Sequence, residues 1–228
     1  MRAPLSEVTN RRRALAADPT LSEIRCLYGA WGLIVVRGDY ERGVAELERA
    51  QRDDPLSSIC TAHASIGYTL VGRHEEALRT AMRGLSLNPG AFASQHAVVM
   101  ARTWGGDPAG GLAAAAAALQ MSGRHPWVLA TMAHAFAMRG EHAKVEAVHR
   151  ELEARAISGY IQHTWLALSA LALGRTDDAM ELAFRSVTEA DAFGPWFLRW
   201  PGIEALQSHP RYPELRRLIG LQESPGNH

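Results

Sequence analysis

One glycine recurs at Gly38, Gly72, Gly106, Gly140 and Gly174, each 34 residues after the last. The residues that follow it are alike: Gly-Asp-Tyr-Glu-Arg-Gly, Gly-Arg-His-Glu-Glu-Ala, Gly-Asp-Pro-Ala-Gly-Gly, Gly-Glu-His-Ala-Lys-Val and Gly-Arg-Thr-Asp-Asp-Ala. A glycine behind an apolar stretch supplies the left-handed cap that ends a helix. Polar and acidic residues next favour the start of another. Five residues past each glycine stands a small residue (Gly43, Ala77, Gly111, Ala179), with Val145 the one departure. A small side chain there lets the second helix lie close against the first. A fixed period of this length denotes a stacked array of supersecondary units.

The spacing sets repeats at 24–57, 58–91, 92–125, 126–159 and 160–193. It predicts first helices near 24–37, 58–71, 92–104, 126–138 and 160–173. Second helices are expected near 41–53, 75–87, 109–121, 143–155 and 177–189. The composition agrees. Of 228 residues 47% are hydrophobic but only 7% aromatic, and alanine, the best helix former, runs unbroken from Ala113 to Ala118. That run is expected to form the third of the second helices. Its alanines, like the glycines, are expected to be close-contact residues between helices.

Helix-turn-helix units of this period resemble the tetratricopeptide repeat. The resemblance implies an all-α, right-handed α-solenoid with helical caps at both ends, residues 1–228 forming one domain. In that family a small residue fills a slot in the first helix. Ser65, Val99, Ala133 and Ala167 fill it here, but Trp31 stands in the first repeat. The family's helix-ending proline is present as Pro55 and Pro89 and missing later. Residues 1–23, ending Ala-Leu-Ala-Ala-Asp-Pro before the first repeat, read as a second helix without its first, an N-terminal half-repeat or cap. Residues 194–228 are expected to add two short helices, near 202–207 and 211–219, because a bare terminal repeat exposes its apolar face. The tail Ser-His-Pro-Arg-Tyr-Pro-Glu-Leu-Arg-Arg-Leu-Ile-Gly-Leu is similar to the end of repeat regions behind bacterial adenylate cyclases, serine/threonine kinases and winged-helix regulators. That likeness implies a scaffold or sensory role in bacterial regulation and supplies no catalytic residues.

The family's geometry turns the first helices toward a concave groove. The residues it would place there include Tyr28, Ile59, Ile66, His96, Met100, Trp104, Trp127, His134, Met138, Ile161 and Leu168. Arg25 is the one strong cation among the groove positions, which argues against the cationic clamp that some members close on a peptide carboxylate. An apolar surface of this extent marks an interaction site. Three readings stand. The groove holds an apolar peptide or partner helix; the array is wound so tightly that these side chains pack on one another or on the terminal helices; or a second copy covers the face. On the first reading Trp104 and Trp127 touch the ligand, and Trp127→Glu or Met100→Glu should weaken partner capture while keeping helical content. Trp31 and Trp165 are expected as fillers, and Trp196 and Trp200 as anchors of the C-terminal cap.

Charge excludes one class: 24 basic and 24 acidic residues leave no surplus for nucleic acid. No apolar stretch is long enough for a membrane span or a signal peptide, so a cytoplasmic protein is expected. Cys26 and Cys60, 34 residues apart, read as small core residues. Arg11-Arg12-Arg13 reads as a solvated helix face. His142, Glu146 and His149 share a helix face, but a metal bundle needs matching ligands on a second helix, and the chain has no second such motif. Neither a phosphate-binding glycine loop nor a nucleophile elbow occurs. The expected function is therefore a non-catalytic scaffold for a protein or peptide partner, with no cofactor. The alternative is a small-molecule binder or atypical enzyme using His96 and His134 as the polar end of the groove.

Overall fold

The computed structural model describes residues 3–18, 20–194 and 199–219. Helix α1 spans Ala3–Ala17. Five helix pairs follow. The first joins α2 (Ser22–Leu27), prolonged by a wider π-helical stretch at Tyr28–Arg37, to α3 (Tyr40–Asp53). The second and third pair α4 (Ser58–Leu70) with α5 (His74–Leu87), and α6 (Phe92–Trp104) with α7 (Pro108–Ser122). The last two pair α8 (Pro126–Met138) with α9 (His142–Ser158), and α10 (His163–Ala172) with α11 (Thr176–Thr188). Short helices α12 (Glu204–Gln207) and α13 (Tyr212–Ile219) close the array against α11. First helices pack in series, α4 on α6, α6 on α8 and α8 on α10, which makes the chain a helical solenoid.

The glycine ladder does what its chemistry requires. Gly38, Gly72, Gly106, Gly140 and Gly174 all have positive φ, between 67° and 90°. At four helix starts a side chain takes up an orphan amide: Asp39 accepts from Arg42 N, Ser57 from Cys60 N, Asp107 from Gly110 N and His125 from Trp127 N. Gly43, Ala77, Gly111, Val145 and Ala179, five residues past each cap, are all buried.

The first repeat departs from its neighbours. In the second repeat Ser65 of the small-residue slot donates to the Ala77 carbonyl at 2.8 Å. At the equivalent place Trp31 is too large to lie against α3. The π-helical stretch resolves this by changing the residues that face the partner helix. Gly29 makes the close approach, and a Cβ there would stand 2.9 Å from the Gly43 carbonyl oxygen. Trp31 turns instead to α4, where its Nε1 donates to His63 Nδ1 at 3.1 Å. Because Gly43 is pressed against Ile34 and Gly29, Gly43→Val should overpack this joint. We expect a loss of about 1–3 kcal/mol, read as a lower midpoint in thermal denaturation.

The alanine helix is only half a contact surface. Ala115 and Ala118 are buried, while Ala113, Ala116 and Ala117 face outward. Ala116 borders a shallow outer cavity of about 630 Å³ with Leu112, Met132 and Phe136. Cys26 and Cys60 are buried free thiols, and Cys26 Sγ lies 3.6 Å from the Cys60 carbonyl oxygen. The neighbouring Cys60 sulfur, then burial, pushes the Cys26 thiol up, so it stays protonated. At the C-terminus Leu206 and Leu215 are buried, His209 meets Asp177 at 3.0 Å and the Arg211 guanidinium lies 4.1 Å over the Phe184 ring. Among the described residues no helix is long and apolar enough to cross a membrane.

Candidate functional site

Most of the residues expected to line an open groove are enclosed. Tyr28, Ile66, His96, Met100, His134, Ile161 and Leu168 are buried, Met100 and His96 at 0% exposure. Trp104 and Trp127 are half-buried, and only Ile59 and Met138 are exposed. The open apolar groove is thus corrected to a filled one. Two features close it. The array curls tightly enough to bring Trp31 of the first repeat within 6.4 Å, ring to ring, of Trp127 in the fourth. The chain then returns through the remaining space, with Trp200 and Ile203 buried and Gly202 set between Trp104 and His134.

Trp127 is the hub of this interior. Its ring stacks on Trp165 at 5.4 Å and 16°, and it meets His96 at 4.1 Å, Phe193 at 5.6 Å and Trp200 at 6.0 Å. Stacked and edge-on aromatic pairs fix geometry as well as burying area. The hub exists because α8 opens with Pro126-Trp127, where Pro126 occupies the first turn and His125 Nδ1 accepts from Trp127 N at 3.2 Å.

Arg25 does not face an open groove. It is buried beneath α3, 2.7 Å from Glu46 and 3.7 Å from Asp53. The two candidate ligand histidines have different neighbours. His96 Nε2 lies 3.2 Å from Thr131 Oγ1, and that hydroxyl donates to the Trp127 carbonyl, so Nε2 donates to it. His134 packs at 5.1 Å from the Trp104 ring and beside Gly202. Burial pulls His96 down to about 3, helped by the neighbouring His125, and pulls His134 down to about 4. Both are neutral rings in the packing. On α9, His149 Nδ1 meets Ser169 Oγ at 2.7 Å, and the Glu146 carboxylate is held by Arg175 at 2.9 Å. On that helix face His149 and Glu146 are thus each held by a neighbouring helix.

A cavity of about 460 Å³ sits at the N-terminal ends of the first helices of repeats three to five. Phe92, Trp127, Trp165, Phe193 and Tyr160 wall it, with Ile161, Gln162 and Arg155 at its margin. Tyr160 is 74% exposed, a large apolar ring left at the rim. Trp127 and Ile161 were expected at the site, Phe92 and Tyr160 were not. Their signal was legible, since both open a repeat at the same register, two periods apart. Trp165 was expected as a filler. It is buried, with its edge in the cavity wall. Trp196 lies outside the described residues.

No family model matches the chain, and no curated protein sequence does. Solved structures do. TTC0263, a thermophilic TPR protein of Thermus thermophilus, is 16% identical over 90% of this chain and 99% of its own, with a TM-score of 0.56. A tetratricopeptide repeat protein from Parabacteroides merdae is 14% identical over 95% and 92%, with a TM-score of 0.54. The type IV pilus biogenesis factor PilW is 18% identical over 87% and 92%, with a TM-score of 0.52. At these identities the likeness establishes the fold: a tetratricopeptide-repeat-like helical solenoid.

Proposed function

We propose that this solenoid is a non-catalytic, cytoplasmic scaffold that holds a protein partner in bacterial regulation. The partner contact is the aromatic cavity at the mouth of the filled inner face. The observation that carries this is the cavity itself, five aromatic rings around about 460 Å³ with Tyr160 standing exposed at the rim. Rigid aromatic rings lose little conformational freedom on binding and dominate interface energetics. The occupant that suits such a cavity is an apolar or aromatic side chain of a partner segment, with Gln162 at the margin to meet its backbone. The similarity of the C-terminal tail to repeat regions behind bacterial regulators supports the regulatory setting.

Tyr160→Glu tests the reading without disturbing the core. In affinity capture from the source cells with quantitative mass spectrometry, partners held by the wild-type chain should fall about tenfold or more. Leu56→Glu, at another exposed apolar residue (73%), should leave capture unchanged. Equal capture by all three chains would remove the cavity from the interface.

A further inference from the structure

We infer that the C-terminal end of the first repeat's leading helix is a guanidinium-binding site, occupied in cis by Arg199. The inner face it belongs to would then take an extended partner segment in which an arginine is followed by a bulky apolar residue. This rests on the scaffold reading only in making the ligand a peptide.

The site is built from backbone. A helix leaves its last carbonyls without partners and carries the negative end of its dipole there. At Tyr28–Arg37, Gly38 N donates to the Ile34 carbonyl and Asp39 N to that of Leu33. The Val35 carbonyl instead accepts from Arg199 Nε at 2.9 Å. Arg199 Nη1 lies 3.2 Å from the Tyr40 hydroxyl, and its guanidinium sits 5.6 Å from the Tyr40 ring centroid. Gly38 forms the floor, since a Cβ there would stand 2.5 Å from Arg199 Cζ. The same glycine that caps the helix makes room for the cation. Among the described residues no carboxylate pairs with Arg199, so neutral acceptors and an aromatic face hold the charge.

Two observations mark the segment as a displaceable ligand. First, among the described residues the stretch 199–203 is hydrogen-bonded to the five-repeat array only through the Arg199 side chain, with no backbone pairing. Trp200 and Ile203 add apolar burial alone. Second, the fit is incomplete. The indole N–H groups of Trp104 and Trp200 are buried without a hydrogen-bond partner. Unmade buried hydrogen bonds cost stability. A segment whose carbonyl reaches Trp104 Nε1 would hold this face better than the chain's own.

The experiment uses the full chain and a labelled peptide of residues 199–207, Arg-Trp-Pro-Gly-Ile-Glu-Ala-Leu-Gln, in fluorescence anisotropy. Arg199→Ala should bind it about tenfold or more tightly than the wild-type chain, whose site is filled. Replacing the peptide's arginine by alanine, or adding Tyr40→Leu to the protein, should remove that gain. In the wild-type chain, excess peptide should speed amide exchange across residues 199–207, a readout that needs no variant to fold. An Arg199→Ala chain of unchanged helicity that binds no better, or exchange that the peptide leaves unchanged, would make the segment a fixed strut and overturn the proposal. An Arg199→Ala dimer that takes up no peptide would assign the face to a second copy and overturn it equally. Tyr160 takes no part, so failure here is distinct from failure of the mouth cavity.

Discussion

Acidification from pH 7 to pH 4.5 should melt this protein while most of its carboxylates are still ionised. Three imidazoles are neutral in the fold: His63, His96 and His134, held down to about 4, 3 and 4 by burial. His63 Nδ1 accepts from Trp31 Nε1, a bond that protonation removes. In the unfolded chain each has a pKa near 6.5, so between about pH 6.5 and 4 the unfolded state binds more protons. The stabilisation from keeping these rings neutral is complete above about pH 6.5. It is lost as pH falls toward the folded values. For the fully packed His96 and His134 this amounts to about 2–3 kcal/mol each at pH 4.5. Set against a total stability of about 5–15 kcal/mol, that is decisive. Circular dichroism melts at half-unit steps should show the midpoint falling steadily below pH 6.5. His96→Gln should flatten the slope. A midpoint constant down to pH 4.5 would mean that these rings take up protons freely in the folded chain, contrary to their enclosure.

Met100→Glu should be destructive. Read from the sequence, Met100 is a groove residue whose charged replacement weakens capture and leaves the helices intact. In the structure its side chain is fully enclosed. A carboxylate there has no water and must either stay protonated or open the core. The expected cost is about 4 kcal/mol or more, a fall in melting midpoint of about 10 °C or more for a chain of this size. Met100→Leu, which nearly conserves volume, should cost less than about 1.5 kcal/mol. A Met100→Glu chain that melts like the wild type but loses its partner would restore the open groove and refute the filled one.

The contrast between Met100 and Tyr160 shows how far the sequence could be read. Helix boundaries were legible because they are local. Gly72 or Gly174 ends a helix by its own backbone freedom, and Asp39, Ser57 and Asp107 start the next with their own oxygens. The π-helical stretch was hinted at only by Trp31 in a slot meant for a small residue. Which residue would take over that contact depended on where Gly43 and His63 stood across the joint. The site was less legible. A position on the inner face of a first helix says which way a side chain points. It does not say whether anything meets it there.

The sequence by itself thus determined the units: five helix pairs in register, their capping glycines, the small residues at their joints and the helices at both ends. Each follows from interactions within one repeat or between neighbours, which a 34-residue period records directly. Only the tertiary structure decided that the inner face is filled. Curvature accumulates from small rotations at every joint, and it alone brings Trp31 to Trp127 and Arg199 to Val35, 164 residues away. The same curvature gathers the aromatic rings around Trp127 at the mouth of that face.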